Sequence, residues 1–300
     1  METIKRNRFS SILFLSWSCL LIFLTPIVYL FIDENVEVSK APIILHGDAV
    51  NYYIDNLVYY DNIISTVTID GWAFVETKQD NPEKYIKFLL VSDSVSYEIG
   101  TDLHNRPLQE FFKDKDVPIE RNGFSTEFSP LIMENGEYTL FINVFENEEN
   151  FGILNTGRVF RKHFRSFKEL EPGEQVDNKK FSNSSVNTSI FSTVDSSKII
   201  DNKLKILGWA FLENVESSEN RIFLEVQKPD GTTSVYSTRK MFREDVGDAF
   251  SDDRYNYSGF YALVPISALG KGDNLITILI GTTNRNENTS TFSWDGSLNE

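Results

Sequence analysis

Apolar and polar residues alternate along most of this chain in runs of four to eight, each run closed by Gly, Asn, Asp or Pro. That period of two is the pattern of half-buried antiparallel strands. Val67 and Ile69, then Ile86, Phe88 and Leu90, then Phe124, Thr126 and Phe128 all follow it. Helical periodicity is nearly absent; short stretches such as Leu108 to Lys113 and Arg239 to Arg243 suit a single helical turn in a connection.

The one break in the alternation is at the N-terminus. From Ile12 to Ile32, about 21 residues pass without a charge, enough at ~1.5 Å per residue to span the ~30 Å of a bilayer core. Lys5, Arg6 and Arg8 precede this run, and Asp33, Glu34 and Glu37 follow it. The positive-inside rule then keeps residues 1–11 in the cytoplasm, makes 12–32 a single-pass transmembrane anchor and places the remainder outside. The run is longer than the apolar region of a cleaved signal peptide, and Val38-Ser39-Lys40-Ala41 is a poor cleavage site. An uncleaved signal-anchor is therefore expected.

Beyond the anchor the chain repeats itself. Gly71-Trp72-Ala73-Phe74 recurs as Gly208-Trp209-Ala210-Phe211, an offset of 137 residues. Val67 and Ile69 match Leu204 and Ile206; Ile86, Phe88 and Leu90 match Ile222, Leu224 and Val226; Asn122-Gly123-Phe124 matches Ser258-Gly259-Phe260. Order and spacing agree throughout, so two copies of one module are expected, at 50–165 and 188–300. A stalk (33–49) and an exposed Ser/Asn-rich linker (166–187) complete the division. Many short strands per ~110-residue copy point to two immunoglobulin-like β-sandwich domains in an all-β ectodomain.

By parity Val67, Ile69 and Gly71 share one face of a strand, and Trp72 and Phe74 share the other. A bend at the glycine would return both rings to the core, so Trp72 and Trp209 are expected as core anchors, with a ligand-stacking platform as the alternative. A second repeated feature is a basic, aromatic and acidic segment: Arg106 with Phe112-Lys113 and Asp116-Val117, against Arg239 with Phe242-Arg243 and Asp245-Val246. Either it is a loop-borne binding surface or its ion pairs fix the loop.

Composition narrows the function classes. The 29 Lys and Arg against 44 Asp and Glu leave a net charge of −15, which disfavours nucleic acid as a partner. The single cysteine, Cys19, lies inside the apolar run, so the ectodomain holds no disulfide. Three histidines, His46, His104 and His163, have no metal-ligand spacing, and neither a nucleophile elbow nor a phosphate-binding glycine loop occurs. No metal or cofactor is expected. Acidic groups at Glu146, Glu148 and Glu149, at Asp114 and Asp116, and at Asp252 and Asp253 read as solvated loops.

The Gly-Trp-Ala-Phe element, followed by an Arg-x-x-Phe-Arg-x-Asp-Val type segment and then Gly-Phe with a closing strand, resembles tandem immunoglobulin-like modules of bacterial envelope proteins associated with cell-surface polysaccharide systems. Copy one departs from the pattern at Lys113-Asp114-Lys115-Asp116-Val117. The resemblance implies a non-enzymatic, membrane-anchored binding or accessory protein of the cell envelope. Envelope glycan or another membrane protein would be its partner. Assembly of a membrane complex, and a carboxylate-dependent glycan hydrolase or transferase, are the other readings. The residues singled out are Trp72, Trp209, Arg106, Arg239, Arg243 and Asp245.

Overall fold

A computed structural model describes residues 36–39, 50–61, 65–75, 84–92, 94–108, 112, 121–146, 149–176, 189–281 and 288–294. The expected anchor at 12–32 lies outside the described residues; among these, no helix is long and apolar enough to cross a membrane.

The fold is all-β, as the period-two pattern requires. The first half of the chain supplies β1 (Val36–Ser39), β2 (Asn51–Tyr60), β3 (Thr66–Phe74), β4 (Lys84–Val91), β5 (Ser96–Gly100), β6 (Asp102–His104), β7 (Gly123–Phe128), β8 (Gly136–Glu146), β9 (Glu149–His163) and β10 (Ser166–Glu169). The second half supplies β11 (Gln175–Val176), β12 (Ile190–Ile200), β13 (Lys203–Leu212), β14 (Arg221–Gln227), β15 (Thr233–Ser237), β16 (Arg239–Met241), β17 (Gly259–Pro265), β18 (Asn274–Gly281) and β19 (Asn288–Trp294). One short helix, α1 (Glu244–Phe250), lies between β16 and β17.

These strands form four sheets, ordered β2-β3-β7-β6, β1-β5-β4-β8-β9-β10, β12-β13-β17-β16 and β11-β15-β14-β18-β19. The duplication is thus written in the pairing: each half has one sheet of four strands and one larger sheet with the same neighbours. It also starts earlier than the sequence suggests. β1 pairs with β5 as β11 pairs with β15, so residues assigned to a stalk and to a linker open the two repeats. Through Val176 the connection is structured, not a free linker: β10 extends the first large sheet, and Leu170 and Val176 are buried.

Within each half the inward positions of both sheets meet in one core. Ile54, Val67 and Ile69 lie with Phe88, Tyr97, Leu140 and Ile142 in the first, and Leu204, Ile206 and Phe260 lie with Leu224, Ile276 and Ile278 in the second. The two large sheets contact one another through Val159, Phe223, Val235 and Leu279, with Leu170 and Val176. The circuit closes on the other side, where Tyr257 of the second repeat enters the first core and donates its hydroxyl to the Val50 carbonyl at 2.9 Å. The four sheets therefore follow one another in a propeller-like ring.

The Gly-Trp-Ala-Phe strand obeys simple alternation. β3 runs without a bend, burying Val67, Ile69, Gly71 and Ala73 on one side. Trp72 and Phe74 stay on the opposite face, so the expected kink that would bring Trp72 and Trp209 into the main core is not formed. The irregularity sits in the neighbouring strand instead, where Asp55 of β2 and Asp195 of β12 are bulged out of register. A Cβ on Gly71 would lie 2.2 Å from the Tyr53 carbonyl oxygen, and one on Gly208 would lie 2.3 Å from that of Thr193. Glycine is needed for close strand approach, not for a turn.

Candidate functional site

The loop between the third and fourth strands of each small sheet folds over the outward aromatics. In the first repeat Leu108 and Phe112 cover Trp72 and Phe74. Phe112 stands edge-on to both rings, at 5.3 Å and 5.4 Å between centroids. In the second repeat α1 and the turn after it bring Val246, Phe250 and Tyr255 over Trp209 and Phe211. Each tryptophan therefore belongs to a small second cluster on the outside of its sheet, half-buried. Burying part of a large ring under a loop stabilises the loop and leaves an edge for other contacts.

The repeated arginines pair differently from their sequence alignment. Arg106 binds Asp55 through Nη1, and Arg243 binds Asp195 at 2.5 Å through the same atom. Both acceptors are the bulged aspartates, and both arginines lie two residues beyond a strand residue paired with the Gly of Gly-Phe: His104 with Gly123, Met241 with Gly259. Arg106 thus corresponds to Arg243, and Phe112 to Phe250. Arg243 also holds Asp245 in a fork, with both bonds at 2.7 Å; this draws the Asp245 carboxyl below its usual range. Arg239–Met241 is strand, not the helical turn expected there, and the helix begins at Glu244.

Arg239 has a separate role. It reaches into the first repeat and pairs with Glu169 at 2.6 Å, while Arg158 approaches the same carboxylate at 3.3 Å. Beside it Asn155 donates to the Asn220 carbonyl at 2.9 Å. Gly157, at φ +68°, lies so close to β16 that a Cβ would come within 2.6 Å of the Lys240 backbone nitrogen. A glycine alone meets both demands.

Above this seam lies a cleft of about 360 Å³, lined by Asn51, Tyr52, Trp72, Phe112, Leu154, Asn155, Lys240, Met241, Phe242 and Tyr257. Both repeats contribute: β2, β3, β9 and the Phe112 loop from the first, β16 and the turn before β17 from the second. Five of the ten residues are aromatic, two carry carboxamides and one is cationic. Phe242 is half exposed and stands edge-on to Tyr257 at 5.1 Å. Tyr52 has its phenol pushed above the ordinary value, chiefly by burial and against the pull of Arg158 and Arg239.

Lys240 donates from Nζ to the Ser217 carbonyl. Desolvation brings its amine down to about 7, although Glu216 and Glu219 pull it upward. Burial likewise pushes the Glu216 carboxyl up to about 7. Both groups exchange protons near neutrality. Such a cleft can stack a flat apolar face on its rings.

Of the residues singled out from sequence, the cleft takes in Trp72 alone. Arg239 lies at its base beside Glu169, whereas Trp209, Arg106, Arg243 and Asp245 belong to the outer loops. Asp252 caps a short turn and binds Arg254. His104 and His163 are exposed on strands. Among the described residues no group of His, Cys, Asp or Glu converges as metal ligands do. Asp114, Asp116, Glu148 and His46 lie outside the described residues. Tyr52, Asn155, Lys240 and Tyr257 were not foreseen, since each is an ordinary strand or turn residue until the two repeats meet. No family pattern matches the chain, and no match to it was found among curated proteins.

Proposed function

We propose that this chain is a membrane-anchored, extracytoplasmic binding protein of the cell envelope, built from two immunoglobulin-like repeats, and that it holds a saccharide in the cleft between them. The observation that carries the reading is the cleft lining. Tyr52, Trp72, Phe112, Phe242 and Tyr257 offer rings to the apolar faces of a sugar. A sugar ring presents flat C–H faces, and a cleft walled by aromatic rings suits such a face.

The anchor rests on the apolar run at 12–32 and its flanking charges. The sandwich reading rests on two sheets sharing one core in each repeat. A glycan hydrolase needs two carboxyl groups facing one bond, about 5–10 Å apart. Among the described residues, the lining of this cleft contains none, and the second cleft, near Glu174 and Tyr236, contains that glutamate only. Binding without turnover is the better fit.

The test is a binding screen of the purified full-length chain against envelope polysaccharides and their oligosaccharides, with Trp72→Ala beside Trp209→Ala. Binding lost in the first variant and kept in the second supports the cleft. Absence of binding to every saccharide, or equal loss in both variants while each stays folded, would overturn it.

A further inference from the structure

A second pocket, of about 350 Å³, lies inside the second repeat, between β11 and β15 on one side and the turn after β17 on the other. Strand pairing shows what fills this place in the first repeat. Leu90 pairs with Tyr97 as its match Val226 pairs with Ser234, and Phe88 pairs with Ile99 as its match Leu224 pairs with Tyr236. Val67 and Leu204 likewise set Phe128 against Val264. Counting onward from those two, Leu131 and Ile132 correspond to Ser267 and Ala268. In the first repeat Tyr97 stands edge-on to Tyr138 at 5.7 Å and accepts the Glu134 amide at 2.9 Å, and Ile132 packs against the core. In the second, two serines and an alanine leave the space open.

Replacing large side chains by small ones costs a core its packing, and here the exchange brings three hydroxyls to the lining, at Ser234, Tyr236 and Ser267. The outer wall is fixed. Gly173, at φ +94°, donates to the Ser237 carbonyl at 2.8 Å, and a Cβ on it would meet the Leu263 carbonyl oxygen at 2.2 Å. Glu174 and Gln175 are thereby held at the rim. The two charged residues of the lining are both compensated: Glu174 is bound by Lys168 at 2.8 Å and by the Glu171 amide at 2.6 Å, and Lys228 lies beside Asp230. Hydroxyls and a carboxamide around the apolar patch of Pro265 and Ala268, without net charge, suit a neutral ring that carries several hydroxyls.

We propose that the second repeat binds one neutral polyhydroxylated ring, a sugar or a cyclitol, in this pocket, through Ser234, Tyr236, Ser267 and Gln175. The site is separate from the cleft between the repeats and does not depend on what that cleft holds. A few hydrogen bonds exchanged against water give it an affinity of about 1 mM. At that strength it does not register in a screen for tight polysaccharide binding.

The experiment is saturation-transfer NMR on the full-length chain, titrated with methyl glucoside, myo-inositol and, as a ring with a single hydroxyl, cyclohexanol. At least one polyol is expected to bind at about 1 mM, and cyclohexanol about tenfold more weakly or not at all. A response to the glucoside alone identifies a sugar, and a response to inositol alone a cyclitol. Ser234→Tyr together with Ala268→Ile refills the space as the first repeat does. This variant should keep the urea midpoint of the unmodified chain and lose polyol binding. Ser234→Ala removes a hydroxyl without filling the pocket and should weaken binding about threefold or more. Failure of both polyols to bind overturns the inference and leaves the cleft standing, and polyol binding that survives the refilling does the same. Should the refilled variant not fold, the Ser234→Ala titration decides: an unchanged affinity overturns the site.

Discussion

Arg243 reaches from the start of its loop to Asp195, the residue that bulges from β12, and holds it at 2.5 Å. Arg106 does the same to Asp55 in the first repeat. The pair joins a strand irregularity to the loop that covers the outer aromatics, so its loss should loosen the loop before the sheet. Both partners are partly open to water, which limits the coupling to about 1 kcal/mol. A double-mutant cycle of Arg243→Ala and Asp195→Ala, read from urea unfolding, should return that value. A coupling near zero would show the contact to be incidental.

Much of this was legible beforehand and some was not. Alternation at Val67, Ile69 and Ile86, with its match at Leu204, Ile206 and Ile222, was enough to foresee an all-β chain of two copies. At Gly71 the same alternation was correct where the expected bend was not: Trp72 points outward because parity puts it there, and the loop comes to it. A usable signal for the bulge did exist, since Ile54-Asp55-Asn56 and Val194-Asp195-Ser196 share an apolar-Asp-polar pattern ahead of each glycine. The cleft had no such signal. Its walls run from Asn51 to Tyr257, and only closure of the ring brings those residues together.

Gly71→Ala and Gly208→Ala each force a methyl group against a backbone carbonyl of the neighbouring strand. Backbone cannot swing aside as a side chain can, so each should cost about 2–4 kcal/mol. Gly231 has a positive φ but open space around its missing Cβ, and Gly231→Ala should cost nearer 1 kcal/mol. Urea midpoints of the three variants would test the ranking, and a Gly231 variant as unstable as the other two would refute it.

The shifts at Lys240 and Glu216 make stability depend on pH in a specific sense. The Glu216 carboxyl rises from 4.5 to about 7, so its contribution is present below 4.5 and is lost as pH rises through 7. The Lys240 amine falls from 10.5 to about 7, so its contribution is present above 10.5 and is lost as pH falls through 7. Together they place a shallow stability minimum near neutrality. Thermal midpoints at pH 5, 7 and 9 should dip at 7. Glu216→Gln should flatten the acid side and Lys240→Met the alkaline side; a midpoint highest at pH 7 in the unmodified chain would contradict both assignments.

Trp72 and Trp209 occupy equivalent places in the repeats, yet only Trp72 borders the cleft. Replacement of either by Phe should keep the fold within about 1–2 kcal/mol, since the packed ring is largely retained. Intrinsic fluorescence on adding a bound saccharide should then lose its response in Trp72→Phe and keep it in Trp209→Phe. The opposite assignment would move the site to the second repeat.

β1 begins at Val36, only four residues after Ile32, and is already paired with β5 along Val36 to Ser39. On the proposed anchorage, four residues of extended chain reach roughly 14 Å at most. The first repeat would then be hitched to the lipid surface by a short tether, with a ladder of hydrogen bonds taking up any pull from the N-terminus. A receptor leashed in this way meets what lies against the bilayer, such as a polymer at the moment it emerges, and is out of reach of material deposited farther away.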